Sequence, residues 1–271
     1  MSVIHDRADV ARILHDPAWL VPEAEPGANA FERLRSGASR FVNGPVHDER
    51  RTSIESRLAE LDPARLARDA GARARAARAD GRDASEIARR IPVLTLAAAL
   101  GVADGAAAPE DAATVAVPYA VGVVDDADAA VVNAAAERLL CAVPAGRRAA
   151  LDAQLLVQAH AATGGLIAAV LHRAAESPEA TTGQLIDDVL RHAPPVVATR
   201  RVAPTNGGET PGDDGAAPLV ELRLDGPDRD ATEGSPARVL AFGAGPRRCP
   251  ASPHAVAIAA AVVDALREPA C

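Results

Sequence analysis

The longest regular feature of this sequence is an apolar, helix-periodic stretch at residues 149–175, interrupted only by a glycine pair at 164–165. A second stretch, residues 253–267, is rich in alanine and valine and apolar on nearly all faces, which is typical of a buried helix. Because aromatic residues make up only 2% of the chain, its core must be built from alanine, leucine and valine, which favours closely packed helices. The sequence therefore predicts a mainly α fold with a small β-sheet.

Shorter patterns predict the remaining elements. Residues 7–15 form a predicted helix with Val10, Ile13 and Leu14 on one face. Thr181 or Thr182 caps another predicted helix, which ends before a proline pair because the residue before proline avoids helical geometry. Other segments are expected as follows: strands at 2–4 and 196–202, a loop at 22–44, helices over 45–102 interrupted at Gly71 and Gly81, and irregular loops at 205–217 and 225–236.

Charge and cysteine content exclude several classes of function. A net charge of −8 argues against nucleic acid as the main partner. The N-terminus lacks a signal-peptide pattern, and the best membrane-span candidate, residues 91–102, is too short. Three cysteines without paired spacing suit a reduced compartment. We predict a cytoplasmic protein with no membrane segment.

A glycine-rich loop directly precedes the last predicted helix and presents Cys249 at the start of that helix. Backbone N–H groups and the helix dipole favour a thiolate there, and a thiolate is a good ligand for iron. Arg247, two residues earlier, can meet an anionic group of a cofactor. The alternative is a buried structural cysteine in a glycine-rich turn.

This loop resembles the haem-binding motif of the cytochromes P-450. The resemblance implies that Cys249 is the axial ligand of the iron of haem b (iron protoporphyrin IX) and that Arg247 contacts a haem propionate. The residues that fill the motif are Phe242, Gly243, Gly245, Arg247, Cys249 and Ala251.

Two further segments resemble propionate contacts of the same family. His47 and Arg51 stand at i and i+4 and so share one helix face, as two ligands of one anion require. The alternative for this pair is a solvated polar face. In the strand that follows the proline pair, Arg201 matches another propionate contact, with Arg200 as the second choice.

Asp188, Arg191 and Arg229 resemble an ion triad that locks the loop under the cysteine in this family. Aspartate replaces the usual glutamate and is one methylene shorter, so we expect a looser or shifted triad. Such a network is structural and not catalytic.

The long central helix lacks the family's acid and alcohol, whose places are taken by Ala161 and Ala162. Alanine cannot relay a proton, and Thr163, one residue on, should point elsewhere. Gln154, Gln158 and Ala162 recur at i, i+4 and i+8, and the resemblance places this stripe on the distal face of the haem as the candidate catalytic set. The alternative is a rotated helix with both glutamines facing solvent. We expect His160 to point away from the haem.

The resemblance implies a reduced P-450 fold, one domain over residues 1–271, with haem between the central helix and the cysteine loop with its last helix. Compared with that family, we expect the first helix, the C-terminal hairpin and the roof helices, which enclose the substrate, to be shortened or absent. Residues 102–151 are too few for two full roof helices. An open pocket exposes apolar surface, so we expect a homodimer, a partner protein, or a small polar substrate.

Three functions remain open on these residues. The first is a haem-thiolate enzyme that acts on a small molecule in bacterial secondary metabolism, by peroxide-driven or non-monooxygenase chemistry. The second is a conventional monooxygenase that takes electrons from a ferredoxin. The third is a non-catalytic activating partner of a glycosyltransferase, a role against which the intact Cys249 loop argues.

Overall fold

The structure is a computed structural model that describes residues 1–146, 148–204, 218–231 and 237–268. The chain divides into two compact units. The first, called here the cysteine-loop unit, comprises Met1–Glu23 and Asp187–Cys249. The second, the helical unit, comprises Ala24–Ile186 and Pro250–Cys271.

The described residues are mainly helical with one small sheet, as predicted. The strands are β1 (Ser2–Ile4), β2 (Ala198–Val202) and β3 (Leu219–Arg223). The α-helices are α1 (Arg7–His15), α2 (Ala30–Gly37), α3 (Gly44–Ala59), α4 (Pro63–Ala79), α5 (Ala84–Leu100), α6 (Ala108–Val121), α7 (Ala129–Ala142), α8 (Ala149–Gln158), α9 (Gly164–Glu176), α10 (Thr182–His192) and α11 (Ser252–Arg267).

The cysteine-loop unit is built on a three-stranded sheet in the order β1-β3-β2. Strand β1 runs parallel to β3, with Ser2 opposite Val220, and β2 runs antiparallel to β3. Asp6 caps α1 by accepting the backbone N–H groups of Ala8 and Asp9. The apolar face of α1 then packs against the sheet, since Val10, Ile13 and Leu14 share a core with Val220, Leu222, Leu224 and Leu240.

The helical unit packs small residues closely, in keeping with the scarcity of aromatics. Gly71 lies in the middle of α4, where an added Cβ would stand 3.5 Å from the Ala261 carbonyl of α11. The expected interruption at Gly71 is therefore wrong, because this glycine serves helix packing. Gly81 does end the helical run, with a φ of +80° between α4 and α5.

Three helices lie where the sequence predicted loops or shortened segments. Helix α2 forms inside the expected 22–44 loop, stabilised by a capping box between Asn29 and Glu32. Residues 102–151 hold α6 and α7, each 14 residues long. These two helices and the turn between them leave apolar side chains in solvent, namely Val117, Val121, Val123 and Val131.

The predicted central helix is continuous but changes its winding in the middle. Residues Ala159–Thr163 form a π-helical turn that joins α8 to α9. The whole stretch, Ala149–Glu176, is 28 residues long and apolar enough to cross a membrane by length and composition, so the expectation that no stretch reaches that length is wrong. Half of its most apolar window is buried in the protein, and core helices of soluble proteins pass the same test.

The expected loop at 205–217 lies outside the described residues, as do 232–236 of the second expected loop. Residues 225–231 are irregular, as predicted, and hold turns and bends.

Candidate functional site

The cysteine loop is closed by its own backbone. The N–H of Cys249 donates to the Phe242 carbonyl at 2.8 Å, and the N–H of Gly243 donates to the Leu240 carbonyl at 2.7 Å. Residues Gly245–Arg247 form one turn of 3₁₀-helix between these two bonds. Cys249 is half-buried at the end of this loop. The backbone thus fixes the chain on the N-terminal side of the thiol-bearing residue.

Two glycines make this loop possible, for different reasons. Gly243 and Gly245 have φ of +68° and +65°, a region that residues with a side chain rarely adopt. At Gly243 an added Cβ would find only Arg248 Cα, at 4.0 Å. At Gly245 the same atom would stand 2.3 Å from the Leu14 carbonyl oxygen of α1. Gly245 is therefore needed for both its backbone conformation and the close approach of α1.

The last helix begins three residues after the cysteine, which agrees with the predicted order. Helix α11 starts at Ser252 with Pro253 in its first turn, and the Ala255 N–H donates to the Ala251 carbonyl at 2.9 Å. His254 is buried, and its Nε2 lies 2.9 Å from the Leu61 carbonyl. This contact holds the start of α11 against the turn between α3 and α4.

The cations predicted to hold propionates lie on both units. In the cysteine-loop unit, Arg201 of β2 is buried, and its Nη1 donates to the Arg200 carbonyl at 2.8 Å. Arg247 is half-buried in the 3₁₀ turn. In the helical unit, His47 and Arg51 both lie on α3, as the spacing predicted. The His47 side chain is 9% exposed and that of Arg51 19%, so the pair does not form a solvated face.

The predicted ion triad does not form. Arg191 makes a two-bond ion pair with Asp187, at 2.8 and 2.9 Å, because i and i+4 on α10 bring these groups together. Asp188 stands 3.8 Å from His192. Arg229 instead pairs with Asp9 of α1, at 2.9 and 3.1 Å. The prediction is wrong because each arginine finds a nearer carboxylate.

A buried arginine that the sequence analysis overlooked stands in this region. Arg7 is 3% exposed, and its guanidinium donates to the carbonyls of Gly226 at 2.7 Å, Arg238 at 2.8 Å and Arg191. Burial lowers the pKa of Arg7, while Asp228 and Asp225 oppose that shift. Its position three residues before Val10, on the apolar face of α1, is the sequence signal that could have revealed it.

Neither glutamine of the central helix faces open solvent. Gln154 is buried, and its Oε1 accepts the Ser39 N–H at 2.7 Å. Gln158 is half-buried, with Nε2 3.4 Å from the hydroxyl of Tyr119. Tyr119 is the only tyrosine of the chain, and burial raises its pKa to about 12. The alternative of a rotated helix with both amides in water is excluded.

The residues at the places of the family's acid and alcohol lie in the π-helical turn. Ala161 is exposed, Ala162 is half-buried and Thr163 is buried. His160, in the same turn, is half-buried, and burial lowers its pKa, although the Arg89 backbone partly opposes the shift. A neutral imidazole is therefore favoured at neutral pH. π-Helical turns interrupt α-helices most often at functional sites.

The described residues hold no group of three or more histidine, cysteine, aspartate or glutamate side chains that could bind a metal ion by themselves. A metal at Cys249 therefore requires a cofactor that brings most of its own ligands. A porphyrin does so, since it leaves only the axial positions of its iron to the protein.

Comparison with known proteins gives the fold. No protein-family model and no curated protein matches the chain. Among solved structures, CalO2 matches with a TM-score of 0.74 and 16% identity, over 97% of this chain and 82% of CalO2. Cytochrome P-450 BioI, in a complex with acyl carrier protein ligated to hexadec-9Z-enoic acid, matches at 0.72 and 17%, over 99% and 85%.

A thermophilic cytochrome P-450 from Sulfolobus tokodaii gives the same result, with a TM-score of 0.69 and 17% identity, over 98% of this chain and 86% of its own. The chain therefore has the cytochrome P-450 fold. At these identities the likeness establishes the architecture, and the chemistry has to be argued from the chain's own residues.

Proposed function

We propose that this chain is a haem-thiolate protein in which Cys249 is the axial ligand of the iron. The observation that carries the proposal is the cysteine loop itself. Cys249 follows two glycines held at positive φ, and its backbone N–H donates to the Phe242 carbonyl, all within a P-450 fold. A structural cysteine in an ordinary turn needs neither the two left-handed glycines nor the close contact with α1.

The charged residues fit the acid groups of haem b. Its two propionates are anions, and arginine pairs with carboxylates through charge-assisted hydrogen bonds. The cysteine-loop unit offers Arg201 and Arg247, and the helical unit offers His47 and Arg51. We infer that Arg201 and Arg247, both in the cysteine-loop unit, hold the propionates; the same role for His47 and Arg51 stays a prediction from the sequence pattern.

Haem with a thiolate ligand would supply oxidation or Lewis-acid chemistry to a small-molecule substrate. The chain's own residues limit which of these is efficient. Ala161 and Ala162 offer no group that can carry a proton, which disfavours the ordinary activation of dioxygen. We therefore infer a peroxide-driven or non-monooxygenase reaction. We assign the amide of Gln158 to orienting the substrate; its Nε2 lies 3.4 Å from the Tyr119 hydroxyl.

The absorption spectrum of the reduced protein with carbon monoxide tests the proposal. Protein expressed with a haem precursor should bind haem and give the spectrum of a thiolate ligand. Cys249→Ala should lose that spectrum, whereas Cys141→Ala, which removes an exposed thiol of α7, should keep it. Wild-type protein without haem, or an unchanged spectrum in Cys249→Ala, would overturn the proposal.

A comparison of oxidants distinguishes a peroxide-driven enzyme from a ferredoxin-dependent monooxygenase. Peroxide should support oxidation of a chromogenic phenol faster than reduced ferredoxin does. The double variant Ala161→Asp, Ala162→Thr restores an acid and an alcohol, and it should raise the ferredoxin-driven rate. A wild-type protein driven by ferredoxin and not by peroxide would instead be a conventional monooxygenase.

The remaining expectations stay predictions. A cytoplasmic location, a homodimer and a covering partner protein are tested by fractionation and by light scattering. The complex of P-450 BioI with acyl carrier protein shows one such partner for that protein. If the chain binds no haem, the role of a glycosyltransferase activator becomes the leading one.

A further inference from the structure

The segment that leads to Cys249 lies along α1 from end to end. Residues 238–245 contact this helix at successive points, beginning at its N-terminus and ending at its C-terminus. Each contact is of a different kind, and all lie inside the cysteine-loop unit.

The first contact is made by the buried guanidinium of Arg7. It donates to the Arg238 carbonyl at 2.8 Å and also binds the carbonyls of Gly226 and Arg191. One side chain thereby joins the start of α1, the end of α10 and the beginning of the loop segment. The backbone N–H of Arg7 donates to the Pro227 carbonyl at 2.8 Å, which fixes the same region again.

Apolar packing makes the next contacts. Leu240 is 3% exposed and lies in the core formed with Val10, Ile13 and Leu14 of α1. Ala244 packs against the same core. Because removing these apolar side chains from water is favourable, this part of the segment is held against α1.

The last contact is at Gly245, whose Cα faces the Leu14 carbonyl so closely that a Cβ would overlap it at 2.3 Å. Four residues later the chain reaches Cys249. The predicted ion triad does not form, although Arg191 of α10 still donates to the Ala237 carbonyl at 2.8 Å. From residue 238 onward the contacts described above are made with α1.

We propose that α1 positions Cys249, with Arg7 and the Leu14–Gly245 contact as the positioning elements. The inference rests on the proposed function, because a thiol held in one position is useful when it binds a metal. Arg7 acts through the loop backbone and touches no reacting atom. Loss of either contact should free the loop without unfolding the protein.

The test measures how fast iodoacetamide alkylates Cys249 in the haem-free full-length chain. Cys141→Ser and Cys271→Ser leave Cys249 as the only thiol. Arg7→Met and Gly245→Ala should each raise the rate about tenfold or more, because the first removes the hydrogen bonds of a buried guanidinium and the second adds a Cβ that overlaps the Leu14 carbonyl. The matched controls are Arg12→Met, an exposed arginine of α1, and Gly81→Ala, at a glycine of positive φ outside the cysteine loop where an added Cβ meets nothing within 4 Å.

A second reporter separates local release from global instability. Ala136→Cys, in a chain with no other cysteine, places a thiol at a fully buried position of α7. Arg7→Met should leave the alkylation rate of this reporter unchanged. Equal increases at both thiols, or equal rates for each variant and its control, would overturn the inference.

The haem-loaded protein gives an independent reading. Arg7→Met and Gly245→Ala should lower the fraction of haem that shows the thiolate spectrum, and Arg12→Met should not. A wild-type chain that binds no haem would defeat the proposed function, yet the alkylation rates would still decide whether α1 positions Cys249. A normal thiolate spectrum with unchanged alkylation rates would defeat only the role of α1.

Discussion

Gln154 of the central helix and Ser39 are joined by three hydrogen bonds, one of which runs from the Ser39 hydroxyl to Oε1 at 3.3 Å. The Ser39 N–H donates to Oε1 at 2.7 Å, and Nε2 donates to the Ser39 hydroxyl at 3.1 Å. The amide therefore holds α8 to the segment that follows α2. Of the two glutamines predicted for the distal face, Gln158 is the one whose amide is less engaged, with a single bond of 3.4 Å.

This difference predicts that replacing Gln154 lowers the free energy of unfolding more than replacing Gln158 does. Gln154→Leu should reduce the free energy of unfolding by about 1–3 kcal/mol, because it leaves a backbone N–H without its partner. Gln158→Leu should change it by less than about 1 kcal/mol. Urea unfolding followed by circular dichroism measures both, and equal losses would contradict the assignment.

Tyr119 should make the protein less stable at alkaline pH. Its pKa is raised to about 12 by burial, so the folded state holds the phenolic proton more tightly than the unfolded state does. The contribution to stability is complete below the unfolded pKa of about 10 and is lost as the pH rises toward 12, a change of about 3 kcal/mol.

Because the chain has one tyrosine, its ultraviolet absorbance reports this ionisation alone. Tyr119→Phe should weaken the loss of stability between pH 10 and 12. Ionisation near the ordinary value in the folded protein would show that the phenol is accessible to water.

Gly164 should be intolerant of any side chain. A Cβ there would stand 3.1 Å from the Ala88 carbonyl of α5, a group to which Pro92 cannot donate a helical N–H. Gly164→Ala should cost about 1–3 kcal/mol in the free energy of unfolding. Gly183→Ala in α10 meets nothing within 4 Å and should stabilise the helix by up to about 1 kcal/mol.

Pro250 should lower the potential of a bound iron. A proline has no N–H to donate to the neighbouring sulfur, which leaves the thiolate more electron-rich. Redox titration should therefore give a higher potential for Pro250→Leu than for the wild type. Equal potentials would show that this backbone position makes no hydrogen bond to the sulfur in either protein.

The helices could be predicted because their signals are local. The apolar face of α1, the threonine that caps α10 and the apolar run of α11 each follow from spacing within a few turns. Helix α2 was missed because it is only eight residues long and lies among prolines and glycines. The π-helical turn leaves no local signal, since its residues suit an α-helix equally well.

The candidate site could be predicted only where a motif is continuous in the chain. Phe242 to Cys249 is such a motif, whereas Arg7 binds carbonyl groups more than 180 residues away. The triad failed for two reasons: Arg191 pairs with Asp187 through the local i, i+4 spacing on α10, and Arg229 pairs with Asp9 of α1, which is distant in the chain.

The sequence by itself determined the mainly helical class, the cysteine loop and the absence of an acid–alcohol pair, since these depend on residue type and short spacing. Only the tertiary structure decided that residues 238–245 contact α1, that Gln154 bonds to Ser39 and that α4 continues through Gly71, which lies against α11. Those properties depend on close approach between elements distant in the chain, and burial and backbone distance, not local preference, determine which contacts are made.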